Sequence, residues 1–201
     1  MPTERTIEPM FAVGVQFSKI PDSEALNAEL KEEIARIKGT VPNSLPQGWS
    51  CHVYTTIRSQ LNLMDRPAFK KLGDIIMAES AAYARGYGLD IDRFPLRLNE
   101  CWVNVYGPGD AQDVHVHRNS VLSGIYYVAA PPQSGELLFH SPMSEVMLEP
   151  PITEVNLFNV PVRTVVPSPG TMIFFRSWLR HSVKPTLGKE ERISVAFNLT
   201  M

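Results

Sequence analysis

Three histidines carry the most chemistry in this chain. His115 and His117 stand two apart in Asp113-Val114-His115-Val116-His117, and in an extended segment such residues project to the same side, so one strand can aim both imidazoles at one point. His181 lies far downstream at the start of another strand-like run and can complete a facial set of three. Imidazole suits Fe, Zn, Cu and Ni alike, so ligand type does not choose the metal. An HxH pair also arises by chance, and a lone strand histidine is more often simply hydrogen-bonded. Arg192 adds the second feature: in Arg192-Ile193-Ser194-Val195-Ala196-Phe197-Asn198 an arginine alternates into an apolar strand and shares a face with Ser194. A buried guanidinium needs an anionic partner, its planar fork matches a carboxylate, and a hydroxyl beside it adds one hydrogen bond. The pattern asks for a dicarboxylate ligand; an internal Asp or Glu, or an exposed edge strand, is the competing account. His52 and His140 have no metal-like spacing and read as structural or surface residues.

These residues need strands to position them. From about Phe94 onward, short runs rich in Val, Ile, Phe and Tyr are broken by Pro and Gly, predicting strands at 96–106, 112–117, 121–129, 135–140, 153–158, 162–166, 171–175, 179–184 and 191–199. Two helices precede them. Ser23 to Lys38 places Leu26, Leu30, Ile34 and Ile37 on one stripe and meets a stop signal at Gly39. From about Arg66 to Arg85, Phe69, Leu72, Ile75, Ile76 and Tyr83 form a second apolar face, with Pro67 in the first turn and Gly86 and Gly88 at the end. The expected fold is mainly β with flanking helices: a double-stranded β-helix, or cupin-like jelly roll, with the N-terminal helices packed on one sheet. No linker-like break separates the halves. We therefore expect a single domain over 1–201, with 1–93 a helical supporting segment and 94–201 the jelly-roll core.

Composition narrows the function classes. With 201 residues, 44% of them apolar, there is ample material for a core, and the net charge of −2 disfavours an electrostatic nucleic-acid binder. No apolar run approaches the ~20 residues that cross a bilayer, and the N-terminus lacks the pattern of a signal peptide, so a soluble cytoplasmic protein without a membrane partner is expected. Cys51 and Cys101 form no CxxC and read as buried small hydrophobes. The 17 prolines are scattered, in keeping with many loops between short elements.

Read in order, the second half resembles the Fe(II)- and 2-oxoglutarate-dependent oxygenases. The stretch from Tyr106-Gly-Pro-Gly through His115-Val-His117 to Ser123-Gly-Ile-Tyr-Tyr-Val128 is similar to the metal-binding part of prolyl-hydroxylase-like members. Gly135-Glu-Leu-Leu-Phe139 and Pro167-Ser-Pro-Gly-Thr-Met-Ile-Phe-Phe175 follow as two further family-like segments, and then His181 and Arg192-Ile-Ser194, so that the ordered set covers about 100–199. The run Ser177-Trp-Leu-Arg-His-Ser-Val183 also resembles a little-characterised branch of such oxygenases. The resemblance implies that His115 and His181 bind Fe(II). It further implies that Arg192 binds the distal carboxylate of 2-oxoglutarate, with Ser194 and Tyr126 as hydrogen-bonding helpers and Tyr106 lining the pocket. Tyr127, on the other face of a regular strand, is assigned to packing; Asn104 and Asn198 can reach the site, and their spacing does not distinguish them from satisfied core amides.

One departure stands out. Where the family places Asp or Glu as third ligand, this chain has His117, and three neutral imidazoles leave Fe(II) with more net charge than two imidazoles and a carboxylate. Asp113, two residues before His115, is the alternative ligand or an acceptor for an imidazole N–H; His117 is preferred. The implied reaction couples decarboxylation of 2-oxoglutarate by O2 to oxidation of a substrate that the sequence does not identify. Competing readings are a three-histidine metal dioxygenase that does not use 2-oxoglutarate, and a non-catalytic cupin-like metal- or ligand-binding protein. On the loops around 107–120 and 141–161, Arg118, Asn119, Met143, Met147, Phe158 and Arg163 read equally as residues that contact a substrate or as ordinary loop packing. An exposed sheet edge or helix face would permit a homodimer.

Overall fold

The computed structural model describes residues 3–143, 148 and 150–201. In chain order the elements are β1 (Gln16–Lys19), α1 (Ser23–Thr40), β2 (Tyr54–Thr55), a 3-10 turn (Leu63–Asp65), α2 (Pro67–Gly86), β3 (Arg97–Tyr106), β4 (Gln112–His115), β5 (Leu122–Ala129), β6 (Leu137–His140), β7 (Val162–Val165), β8 (Thr171–Arg176), β9 (His181–Val183) and β10 (Arg192–Thr200). Both helices form where their apolar stripes predict. α1 buries Leu30, Ile34 and Ile37 and runs one residue past Gly39 to Thr40, whose hydroxyl donates to the Arg36 carbonyl at 2.9 Å. α2 starts at Pro67, where a missing N–H costs nothing, and beyond its end Gly88 takes the left-handed conformation at φ 67°.

The strands make two antiparallel sheets. One has six strands in the order β1-β8-β5-β10-β3-β2, the other four in the order β4-β9-β6-β7. Two expectations fail. Residues 153–158 form turns: Asn159 Oδ1 accepts from the Asn156 N–H (2.7 Å), and Asn156 Oδ1 accepts from the Phe158 N–H (2.9 Å), side-chain bonds that compete with an extended backbone. β1, unpredicted, pairs with the outer edge of β8, where half of a four-residue strand faces water and offers no apolar alternation.

Of the central strands of the large sheet, β3, β5 and β8 serve two cores, and β10 serves the helix-side core and the cavity between the sheets. On the helix side, Val103 and Val105 of β3, Leu122, Tyr126 and Val128 of β5, Phe174 of β8, and Val195, Phe197 and Leu199 of β10 pack against Leu30, Ile34, Ile37, Phe69, Leu72 and Ile76. Between the sheets, Tyr106, Ile125, Tyr127, Ile173 and Phe175 meet Leu137, Phe139, Leu179 and Val183. Gly124 marks a close approach on the helix side. A Cβ there would lie 2.3 Å from the Phe197 ring and 2.6 Å from the Ile173 carbonyl oxygen. Among the described residues, no helix is long and apolar enough to cross a membrane.

Candidate active site

The inner face of β10 lines a cavity between the sheets. Arg192, Ser194 and Ala196 contribute to its wall, with Trp102, Asn104 and Tyr106 from β3, Gln112 and His115 from β4, and His117, His181, Trp49, Ile125 and Val183 around them. Antiparallel register sets these neighbours: Arg192 lies opposite Tyr106, and Ser194 opposite Asn104 on one side and Tyr127 on the other.

His115, His117 and His181 come together. Their candidate ligand atoms lie within 4.8 Å of one another, forming a group that three His side chains make without Asp113. His115 pairs across the ladder with His181, and a bulge between Gln112 and His115 takes the intervening residues out of regular alternation. Asp113 is exposed there; its carboxylate accepts from the Ser50 hydroxyl. Its backbone carbonyl, however, accepts from His115 Nδ1–H at 2.7 Å, and the Leu179 carbonyl does the same for His181 at 2.9 Å. Both rings thereby keep an Nε2 lone pair free. His117 lies past the end of β4, tied by its backbone N–H to the Ser177 carbonyl at 3.0 Å, with Nε2 3.3 Å from His181 Nε2. Burial opposes protonation of all three. It is the main cause that lowers His115 and His181, and it pushes His117 down to about 4, helped by the neighbouring His115. Three neutral imidazoles at one point can hold a divalent metal.

Arg192 is 1% exposed, and its Nε and Nη1 have no hydrogen-bond partner. No ion pair among the described residues involves it. Its guanidinium carbon instead lies 4.5 Å from the Tyr106 ring centre and 5.1 Å from that of Tyr127, so two aromatic faces hold a cation that has no counterion among the described residues. Such an orphaned fork facing a cavity has the chemistry of a carboxylate site.

Tyr126 requires a correction. It faces the helices, its hydroxyl donating to Asn27 Oδ1 on α1 at 2.7 Å, and it does not reach the cavity. Tyr127 takes the inner position, with a buried hydroxyl that has no partner among the described residues. The reason is register: Ser194 pairs with Tyr127 and Val195 with Tyr126, and a strand apolar on both faces gives no alternation from which to read its phase. Asn198 is a second residue whose part was not legible; its Nδ2 lies 3.4 Å from His117 Nδ1. Asn104, turned as its neighbours require, donates to Thr55 Oγ1 at 2.7 Å and accepts from Trp102 Nε1–H at 3.2 Å. Arg118, Asn119, Met143, Phe158 and Arg163 do not line the cavity, and Met147 lies outside the described residues. His52 is exposed, and His140 Nε2 bonds to the Ser182 hydroxyl at 2.9 Å. Cys51 is buried; Cys101 is half-buried, its thiol pushed up to about 12 by the surrounding apolar side chains.

Residues 100–198 match the family model described as "Putative 2OG-Fe(II) oxygenase". The strand-rich half of this chain is thus similar to the 2OG-Fe(II) oxygenases. Comparison with the curated proteins found no match. Among solved structures, a Pseudomonas putida prolyl-4-hydroxylase superposes with TM-score 0.63 at 17% identity over 94% of each chain. The viral collagen prolyl hydroxylase of Paramecium bursaria Chlorella virus-1 does so with TM-score 0.59 at 14% identity, over 92% of this chain and 94% of its own. HygX from Streptomyces hygroscopicus, solved with nickel and 2-oxoglutarate bound, gives TM-score 0.63 at 12% identity over 94% and 83%. At these identities the likeness speaks to the fold, which is the jelly-roll double-stranded β-helix that this chain's sequence predicts.

Proposed function

We propose that the protein is an Fe(II)- and 2-oxoglutarate-dependent oxygenase of hydroxylase type, with His115, His117 and His181 as the iron ligands. The observation that carries this reading is the buried Arg192 guanidinium, without an acidic partner among the described residues, in the wall of the same cavity as the three histidines. Arg192 would take the distal carboxylate of 2-oxoglutarate, Ser194 and Tyr127 would add hydroxyl hydrogen bonds, and Tyr106 would hold the guanidinium in plane. The histidines fit the metal because two of them are fixed as Nε2 acceptors by backbone carbonyls and all three resist protonation. Iron bound there supplies the redox chemistry that couples decarboxylation of 2-oxoglutarate by O2 to oxidation of a further substrate. The apolar walls of Trp102, Ile125 and Val183 limit water around it. The complex of HygX with nickel and 2-oxoglutarate supports the choice of cosubstrate.

The test is anaerobic addition of Fe(II) and 2-oxoglutarate to metal-free protein, watching for a visible metal-to-ligand charge-transfer band. The band is expected in the wild type and lost in Arg192→Ala. Iron binding without a band would overturn the use of 2-oxoglutarate and favour a three-histidine dioxygenase, a reading to which the all-imidazole donor set lends its own support. We further take residues 1–201 as one domain, in which 1–93 supports the jelly roll of 94–201. A single cooperative unfolding transition tests that.

A further inference from the structure

Asn198 lies on β10 in a network of hydrogen bonds that leads to the unusual third histidine. The side chain is 2% exposed. Its Oδ1 lies 2.7 Å from Ser123 Oγ, which in turn lies 2.8 Å from Ser177 Oγ. An amide oxygen only accepts, so Ser123 donates to Asn198 and Ser177 donates to Ser123. On the other side, Asn198 Nδ2 donates to the Glu100 carboxylate at 2.5 Å. These two partners fix which way the amide points: turning it over would set its oxygen against a carboxylate.

The fixed amide presents an N–H, and no acceptor, to His117 Nδ1 at 3.4 Å. Nδ1 must then be the accepting nitrogen, and in a neutral ring the proton resides on Nε2. That assignment also explains the 3.3 Å contact with His181. His181 has given its own proton to the Leu179 carbonyl contact, so its Nε2 accepts what His117 Nε2–H donates.

We infer that Glu100 and Asn198 set the tautomer of His117, holding its proton on Nε2, so that His117 must exchange tautomer before it can coordinate a metal through that atom while His115 and His181 need not. Glu100 and Asn198 are positioning residues, acting through His117. This inference rests on the proposed metal centre, but its first readout does not require metal.

In metal-free protein with 15N-labelled histidine, long-range ring correlations report which nitrogen carries the proton. His117 is expected as Nε2–H, and His115 and His181 as Nδ1–H. Glu100→Gln replaces an exposed carboxylate by an amide that can donate to Asn198 Oδ1, so the Asn198 amide can turn and accept from His117 Nδ1–H. The His117 signal should then move toward Nδ1–H. Fe(II) affinity in an anaerobic titration should rise on the order of tenfold. Asn198→Asp should shift both readouts the same way, and Glu100→Gln in a His117→Ala background should leave affinity unchanged. A wild-type His117 found as Nδ1–H overturns the inference. So does an unchanged affinity in Glu100→Gln where His117→Ala alone weakens binding. Failure of the wild type to bind Fe(II) would instead overturn the proposed metal centre, with the ring spectra still deciding the tautomer.

Discussion

Tyr126 and Tyr127 are neighbours with opposite surroundings, and substitution should separate them. Tyr127→Phe removes a buried hydroxyl that has no protein partner, so it is expected to leave stability nearly unchanged and to weaken 2-oxoglutarate binding about three- to tenfold, the worth of one hydrogen bond. Tyr126→Phe removes the bond to Asn27 and should lower thermal stability by about 1 kcal/mol with cosubstrate affinity intact. Titration of the charge-transfer band and a melting curve check both. The histidines give a pH prediction. In the unfolded chain they take up protons near 6.5, whereas in the fold His117 does so only near 4, so between those values the unfolded state holds more protons. Metal-free protein should therefore lose stability as pH falls from about 6.5 to about 4 and lose no more through this group below that. A melting temperature flat across this range would contradict it. At this scale the sequence was generous. His115, His117 and His181, Arg192 and Ser194 could be seen because a polar residue in an apolar strand is conspicuous; the tyrosine pair could not be resolved, since both faces of β5 are apolar.

Periodicity alone was enough to locate the helices and most of the strands, each within a few residues of its observed bounds. It failed where side chains override the backbone, as in the Asn156 and Asn159 turns, and where an edge strand such as β1 carries no pattern. Nor could it place Gly124, whose missing side chain lets β5 approach Phe197 and the Ile173 carbonyl. Because one of those contacts is backbone, Gly124→Ala is expected to cost about 1–3 kcal/mol. Chemical denaturation reads that loss, and an unchanged midpoint would show that the sheet adjusts freely. On the same helix-facing side of the sheet, Phe69→Ala in α2 should cost about 3–5 kcal/mol through the cavity it leaves, without altering the metal ligands.

For the whole molecule, a cation enclosed without a counterion makes folding and ligand binding one equilibrium. If 2-oxoglutarate supplies the missing carboxylate, then at a concentration one hundred times its dissociation constant it should raise stability by about 2.7 kcal/mol. The effect should disappear in Arg192→Ala, and a thermal-shift series in the presence of a redox-inert divalent metal would measure it. The central strand β10 carries the wider consequence. Arg192, Ser194, Ala196 and Asn198 face the cavity or the network beside it, and Ile193, Val195, Phe197 and Leu199 face the helices. Reactivity and foldability are thus written on interleaved letters of one short word. A lineage can revise every second letter to try new ligands or new anions while the letters between keep the protein folded, so a complete substitution map of this strand should separate into two combs, one read by stability and one by turnover.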